Sequence, residues 1–292
     1  MTTIGVNRCW NAVLVSTLLL ACTSDLRAAA GERMAVDDAK ACQSAKAAFT
    51  PADVPRKVDI PGKDLTVSTP YGYNRPENSK RRYPIVVNGC WGEGYAFTDE
   101  IRARYPAFFL EYQQDSEAAG ETLSDVLDVA VAQGMRIDLD RVYLTGFSAG
   151  GSGSYKLVRG FLKKGKLFAA INRVAGQSET VLPDPAVTAT SLWIHIGTKD
   201  SSLRLKVAHE AYENLKKHPL NKGATETTVT DEGVIGFKRV TKTLAKDGIE
   251  IVKYSVCEGM EHDPKPVYRD PNVFQWMFSQ SLVKRKEQPR AE

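Results

Sequence analysis

Arg141-Val142-Tyr143-Leu144-Thr145-Gly146-Phe147-Ser148-Ala149-Gly150-Gly151 runs from a strand-forming stretch through Gly-x-Ser-x-Gly into a helical one. Gly146 and Gly150 leave room for a sharp strand-to-helix turn, which lifts the Ser148 hydroxyl above a sheet with its backbone strained. The pentapeptide alone recurs by chance as an ordinary Gly/Ser turn. Its position between a strand and a helix is what makes it specific. Ser152 and Ser154 fall inside the following helix and are expected on its surface or in its packing.

Working outward, a serine hydroxyl is a poor nucleophile until a base takes its proton, so a histidine must come within hydrogen-bond reach. The chain has four. His262, in Cys257-Glu258-Gly259-Met260-Glu261-His262-Asp263-Pro264, follows the apolar run 249–256 and so sits on a loop after a strand. His195 lies inside an apolar strand and is expected as a satisfied core residue, while His209 and His218 occupy helical or surface positions. A carboxylate between Ser148 and His262 should hold the imidazole in its working tautomer. Asp200, in Ile196-Gly197-Thr198-Lys199-Asp200, follows a strand; Asp184 and Asp231 do not and are expected as solvated loop carboxylates. An oxyanion needs backbone donors. The Ala149 N–H is the first, and the Cys90 amide, with Trp91 next, is the second, because Ile85-Val86-Val87-Asn88-Gly89-Cys90-Trp91-Gly92 reads as a strand entering a glycine-containing loop. Trp91 is also a candidate substrate contact, as are Tyr95 and Phe97.

Around these residues the chain alternates. Strand-like runs cover 65–69, 85–87, 107–110, 142–145, 169–174, 192–196 and 249–256, several of them continuously apolar, as parallel strands covered on both faces are. Helical patterns separate them. The clearest puts Leu123, Val126, Leu127, Ala130 and Val131 on one face, with Thr122 and Asp125 as a capping signal at its start; others cover 153–163, 203–217, 236–247 and 272–283. Such alternation implies an α/β fold with a mostly parallel sheet and helices on both faces. Residues 219–232, polar and Thr-rich, read as an exposed insertion between two helices. No repeat or long linker divides residues 31–283, which form one catalytic domain of roughly 250 residues, and 284–292 read as a charged, frayed tail.

Residues 1–30 differ in character. Arg8 precedes an uncharged, mostly apolar run over 12–21 that is too short to span a bilayer, the pattern of an export signal. Ala28-Ala29-Ala30 suits ordinary cleavage, whereas Leu19-Leu20-Ala21-Cys22 resembles a lipobox that would lipidate Cys22. The protein is accordingly expected outside the cytoplasm, secreted or periplasmic, and at a membrane only if Cys22 carries lipid. Cleavage leaves Cys42, Cys90 and Cys257, of which Cys90 and Cys257 could bridge or stay buried as small apolar thiols; their spacing does not resemble a zinc site. With 39 basic and 35 acidic residues the net charge is +4. The basic residues are dispersed, which argues against nucleic acid as partner, and an apolar fraction of 42% suits a globular core.

Four stretches together resemble the secreted esterases of the α/β-hydrolase superfamily, the group that includes polyhydroxybutyrate depolymerase-like enzymes, feruloyl esterases and predicted peptidases. They are residues 137–151, 195–200, 259–263 and 274–278, the last being Phe274-Gln275-Trp276-Met277-Phe278. The resemblance implies an eight-stranded sheet, no cofactor and no metal, and a triad of Ser148, Asp200 and His262 acting on a small-molecule or polymeric ester. Where such proteins carry His-Gly at the oxyanion loop this chain has Asn88-Gly89. Trp276 is expected to pack rather than to contact a ligand. Two other readings stay open: a serine peptidase of the same fold, and a non-catalytic surface binding protein that retains it.

Overall fold

Apolar runs at regular intervals become the strands of a single sheet in the computed structural model, which describes residues 55–60, 62–89, 98–232 and 236–283. In chain order these contain β1 (Lys57–Asp59), β2 (Thr66–Ser68), β3 (Tyr83–Asn88), α1 (Asp99–Arg104), β4 (Phe108–Glu111), α2 (Glu117–Ala132), β5 (Ile137–Phe147) and α3 (Ala149–Lys163). There follow β6 (Ala170–Val174), α4 (Asp184–Ala189), β7 (Ser191–Gly197), α5 (Ser202–Lys217), β8 (Thr225–Glu232), β9 (Lys238–Lys246), β10 (Ile249–Cys257), α6 (Lys265–Tyr268) and α7 (Pro271–Phe278). The sheet order is β1-β2-β4-β3-β5-β6-β7-β10-β9-β8. Its centre, β4-β3-β5-β6-β7-β10, is parallel throughout, and both flanks are antiparallel. This is an α/β-hydrolase fold. Strands β3, β6 and β7 are buried along their whole length, as a two-sided cover of helices requires.

The helices begin where their caps dictate. Ser116 Oγ accepts the Ala119 N–H at 3.1 Å and opens α2 more than a turn before Thr122, whose hydroxyl instead donates to the Ala118 carbonyl. The expected apolar face is there: Leu123, Val126, Leu127 and Ala130 are fully buried. Two glycines let α2 and α3 cross with backbones touching. A methyl group at Gly160 would lie 1.8 Å from the Glu117 carbonyl oxygen, and one at Gly120 2.3 Å from that of Leu157.

Five expectations are corrected. Among the described residues the sheet has ten strands rather than eight. Residues 236–247 are not a helix but contain β9, and 219–232 are not an insertion between helices but a short 3-10 turn, Pro219–Asn221, followed by β8. The missed signal is Asp247-Gly248, both at positive φ, the two-residue turn that closes a hairpin between β9 and β10. Asp231, expected in solvent, sits on β8 and accepts from Arg239 Nε at 2.9 Å. The helix expected over 272–283 ends at Phe278. The domain boundary near residue 30 and the tail 284–292 lie outside the described residues.

His195 is buried as expected, but among the described residues neither ring nitrogen has a hydrogen-bond partner. It stacks on Trp193 at 4.8 Å between centroids, and Trp193 meets Trp276 edge-on. Trp276 thus packs as expected, its indole N–H held by Glu250. Burial, then the nearby Arg239 and Lys253 charges, push the His195 pKa well below its ordinary 6.5. The folded protein therefore refuses a proton that the unfolded chain takes up below about pH 6.5, so this contribution to stability is complete above that pH and falls as pH drops, by up to about 1.4 kcal/mol per unit. Urea unfolding at pH 7 and pH 5 should show His195→Phe losing less stability than the parent over that interval; equal losses would refute the buried neutral imidazole.

Candidate active site

Ser148 is the residue between β5 and α3. Its backbone, φ 55° and ψ −114°, is a conformation that costs a non-glycine residue about 1–3 kcal/mol and persists only where the surroundings impose it. They do so through two hydrogen bonds and two close approaches. The Ser148 N–H donates to the Val174 carbonyl at 3.0 Å and its carbonyl accepts from Ser152 N–H at 3.1 Å. A methyl group at Gly146 would lie 2.3 Å from the Gly150 carbonyl oxygen, and one at Gly151 2.7 Å from that of Val174. The turn is therefore closed by glycines on both sides of the serine, Gly146 before it and Gly151 after it. Ser152 and Ser154 are buried packing residues, and Ser152 Oγ accepts the Gln177 and Ser178 amides at 2.9 and 3.0 Å.

Asp200 comes from the turn after β7 and His262 from the loop after β10. Strands β7 and β10 are parallel neighbours in register from Val252↔Leu192 to Cys257↔Gly197, so their C-terminal ends deliver both loops to one place. The loops interlock: Thr198 N–H donates to the Cys257 carbonyl, Lys199 N–H to that of Met260, and Gly259 N–H to Thr198 Oγ1. Gly197 makes this approach feasible, since a methyl group there would lie 2.0 Å from the Met260 carbonyl oxygen.

The structure brings Ser148, His262 and Asp200 into one line. His262 Nδ1 is 2.7 Å from Asp200 Oδ2 and Nε2 is 3.0 Å from Ser148 Oγ. A carboxylate only accepts, so Nδ1 carries the imidazole proton and Nε2 presents its lone pair to the serine hydroxyl. The other carboxylate oxygen, Oδ1, accepts the Ser201 N–H at 2.6 Å, with Arg204 Nη1 at 3.5 Å. The Asp200 side chain is 1% exposed against 33% for His262, so the acid is sealed beneath a base that solvent and a ligand can reach. The Phe147 ring packs on the imidazole at 4.4 Å between centroids, a contact that the middle letter of Gly-x-Ser does not announce. His209 lies exposed on α5, and His218, at the end of that helix, faces Asp184 at 3.4 Å.

On the oxyanion side, Ala149 opens α3, and the first amides of a helix have no partner within it. The Gly89 N–H is taken by the Thr145 carbonyl at 2.7 Å, so it belongs to the sheet. Asn88 is buried and its amide donates to Glu111 Oε2 at 2.8 Å. Cys90 and Trp91, with Tyr95 and Phe97, lie outside the described residues. Cys257 is a buried free thiol whose pKa burial pushes up to about 11; its conceivable partner Cys90 lies outside the described residues.

No family model and no curated protein matches this chain. Solved structures similar to it include a thermostable esterase, 18% identical over 79% of this chain, with a TM-score of 0.47; the chain spans 63% of that protein, less than two thirds. An acetyl xylan esterase from Aspergillus awamori is 13% identical over 75% of this chain and 98% of its own, TM-score 0.49. An acylaminoacyl peptidase from Pyrococcus horikoshii is 13% identical over 82% of this chain and 42% of its own, TM-score 0.46.

The contact at Gly197 is open to a direct check. Gly197→Ala must push the Met260 carbonyl away, at a cost of about 1–3 kcal/mol in unfolding free energy, and should abolish the low-field proton resonance of the imidazole N–H shared by His262 and Asp200. An unchanged denaturation midpoint together with an intact resonance would show that the two loops do not meet there.

Proposed function

We propose that this protein is an exported serine hydrolase that cleaves carboxylic ester bonds through an acyl-enzyme on Ser148. The observation that carries the reading is the continuous hydrogen-bonded line from Ser148 Oγ through His262 to buried Asp200, which supplies a nucleophile, a base and an orienting acid in the order acyl transfer uses them.

In this mechanism Ser148 Oγ attacks the ester carbonyl while His262 Nε2 takes its proton. The imidazolium that forms is stabilised by Asp200 across the Nδ1–H bond, and the Ser201 amide keeps the carboxylate oriented. The negative charge on the carbonyl oxygen is met by the Ala149 N–H and by an amide of the loop after β3, assigned to Cys90. His262 returns the proton to the leaving alkoxide. Water, deprotonated by the same nitrogen, then attacks the acyl group, and as the acid departs His262 returns that proton to Ser148 Oγ. Every proton moves between Ser148, His262, substrate and water, so the chain's own groups suffice.

The substrate class within this reading is a small or polymeric ester of the polyester or feruloyl type, supported by the resemblance of residues 137–151, 195–200 and 259–263 to that group of esterases. Export rests on Arg8 and the uncharged run over 12–21; a signal ending near residue 30 would release the enzyme, and lipidation at Cys22 would tether it to a membrane surface.

Hydrolysis of p-nitrophenyl acetate by the parent protein and by Ser148→Ala tests the assignment. Turnover should fall by about 10⁶, and a fluorophosphonate should label the parent at Ser148 alone. Equal rates in the two proteins would remove Ser148 from the mechanism, and a parent that neither turns over nor labels would make the chain a binding module.

A further inference from the structure

The residue line Ser148–His262–Asp200 is the visible connection between nucleophile and acid, and a second connection runs behind it. It begins in the turn after β6. There Ala175 and Glu179 both adopt positive φ, 48° and 67°, on either side of Gly176, where a methyl group would lie 2.6 Å from the Arg173 guanidinium. Two left-handed non-glycine residues in five mark a backbone that its surroundings hold in place. Arg173, fully buried, does part of this by donating to the Ser178 carbonyl. Arg159 does another part through its ion pair with Glu179 at 2.9 Å.

What the turn touches is the informative part. Its Gln177 and Ser178 amides both donate to Ser152 Oγ, and Ser152 in turn bonds the Ser148 carbonyl through its backbone N–H at 3.1 Å and its hydroxyl at 3.4 Å. In the opposite direction the Gln177 side chain accepts from Arg204 Nη2 at 3.0 Å. The other arm of the same guanidinium reaches Ser201 Oγ at 3.1 Å and Asp200 Oδ1 at 3.5 Å. A planar fork is the one side chain that can hold both ends at once.

We infer that Gln177 and Arg204 are positioning residues that set the separation of Ser148 and Asp200 through the turn at 175–179, independently of the histidine between them. The inference rests on the proposed roles of Ser148, His262 and Asp200 and adds to them. The bridge joins the acid's turn to the nucleophile's helix beside an imidazole that is 33% exposed and must exchange partners during turnover. With it, the carboxylate and the hydroxyl stay fixed while His262 moves a proton between them. Neither residue touches the reacting atoms, so the effect falls on the chemical step and leaves binding alone.

The test uses the full chain with Gln177→Leu, Arg204→Met, the double variant and Gln177→Glu, in which a carboxylate can accept the same guanidinium. Each single loss should lower kcat on p-nitrophenyl acetate roughly 10-fold with KM within about twofold, the misplacement being a fraction of that which costs 100-fold. Because both changes break one bridge, the double variant should be no slower than the worse single, and Gln177→Glu should recover most of the rate. Gln177 is exposed, so its variants should unfold at the parental temperature. A second readout does not depend on turnover: the low-field N–H resonance between His262 and Asp200 should broaden in Gln177→Leu and Arg204→Met and sharpen again in Gln177→Glu. Parental kcat and resonance in the single variants, or losses that multiply in the double variant, would overturn the inference. A parent without esterase activity would instead strike the proposed function and leave the resonance to decide the bridge.

Discussion

The fold hangs on the backbone of Ser148, because a serine at φ 55° and ψ −114° is stable only where neighbouring chain is placed to impose it. That chain is β6. Its last residue, Val174, pairs with Phe147 in the parallel ladder and gives its carbonyl to the Ser148 N–H, so the strained residue is held by the next strand as well as by its own turn. A strain of about 1–3 kcal/mol is comparable to what two or three net hydrogen bonds return. It is tolerable only with Gly146 and Gly151 removing the steric obstacle. Everything else that the site needs is arranged relative to a hydroxyl whose position is thereby fixed.

Geometry then dictates where the partners must come from. Adjacent strands lie about 4.8 Å apart, so β7 is about 10 Å from β5, with β6 between. An acid placed at the end of β7 cannot reach the serine unaided, and an imidazole of bridging size must stand between them. Its loop descends from β10, one strand further out, and has to lean back across β7. The contact of Gly197 with the Met260 carbonyl is where that leaning happens. Strand order β5-β6-β7-β10 and a glycine at the end of β7 are thus two parts of one requirement.

This explains why the site was easier to read from the sequence than its support. Ser148, Asp200 and His262 each follow an apolar run and carry chemistry in their side-chain type, so local pattern and residue identity agree. The strand at 238–246 had no such agreement. Phe237, Val240 and Leu244 stand at spacings of three and four and mimic a helix face, while Arg239 and Thr241, at alternate positions, are polar yet buried. Alternation was present with its polarity inverted. Only Asp247-Gly248 betrayed the hairpin. Packing of Phe147 on His262, and the turn at 175–179, leave no pattern at all, because each depends on a contact between segments that only the folded sheet brings together.

The inverted strand also accounts for how the histidine's loop is held on its outer side. Buried Arg239 spans from Asp231 on β8 to Asp270, the residue that caps α7. Nearby, the Glu258 N–H donates to the Lys238 carbonyl. The loop carrying His262 starts at one of these contacts and ends, through α6, at the other. A buried ion pair is costly to assemble and costly to break from one side, about 3–5 kcal/mol for loss of one partner, so it specifies a geometry more than it adds stability. Here the geometry specified is the pair of anchor points between which His262 is suspended. An apolar residue at position 239 would suit the burial of β9 but would leave Asp270 without its cation, and the far end of that loop would lose the contact that defines where it stops.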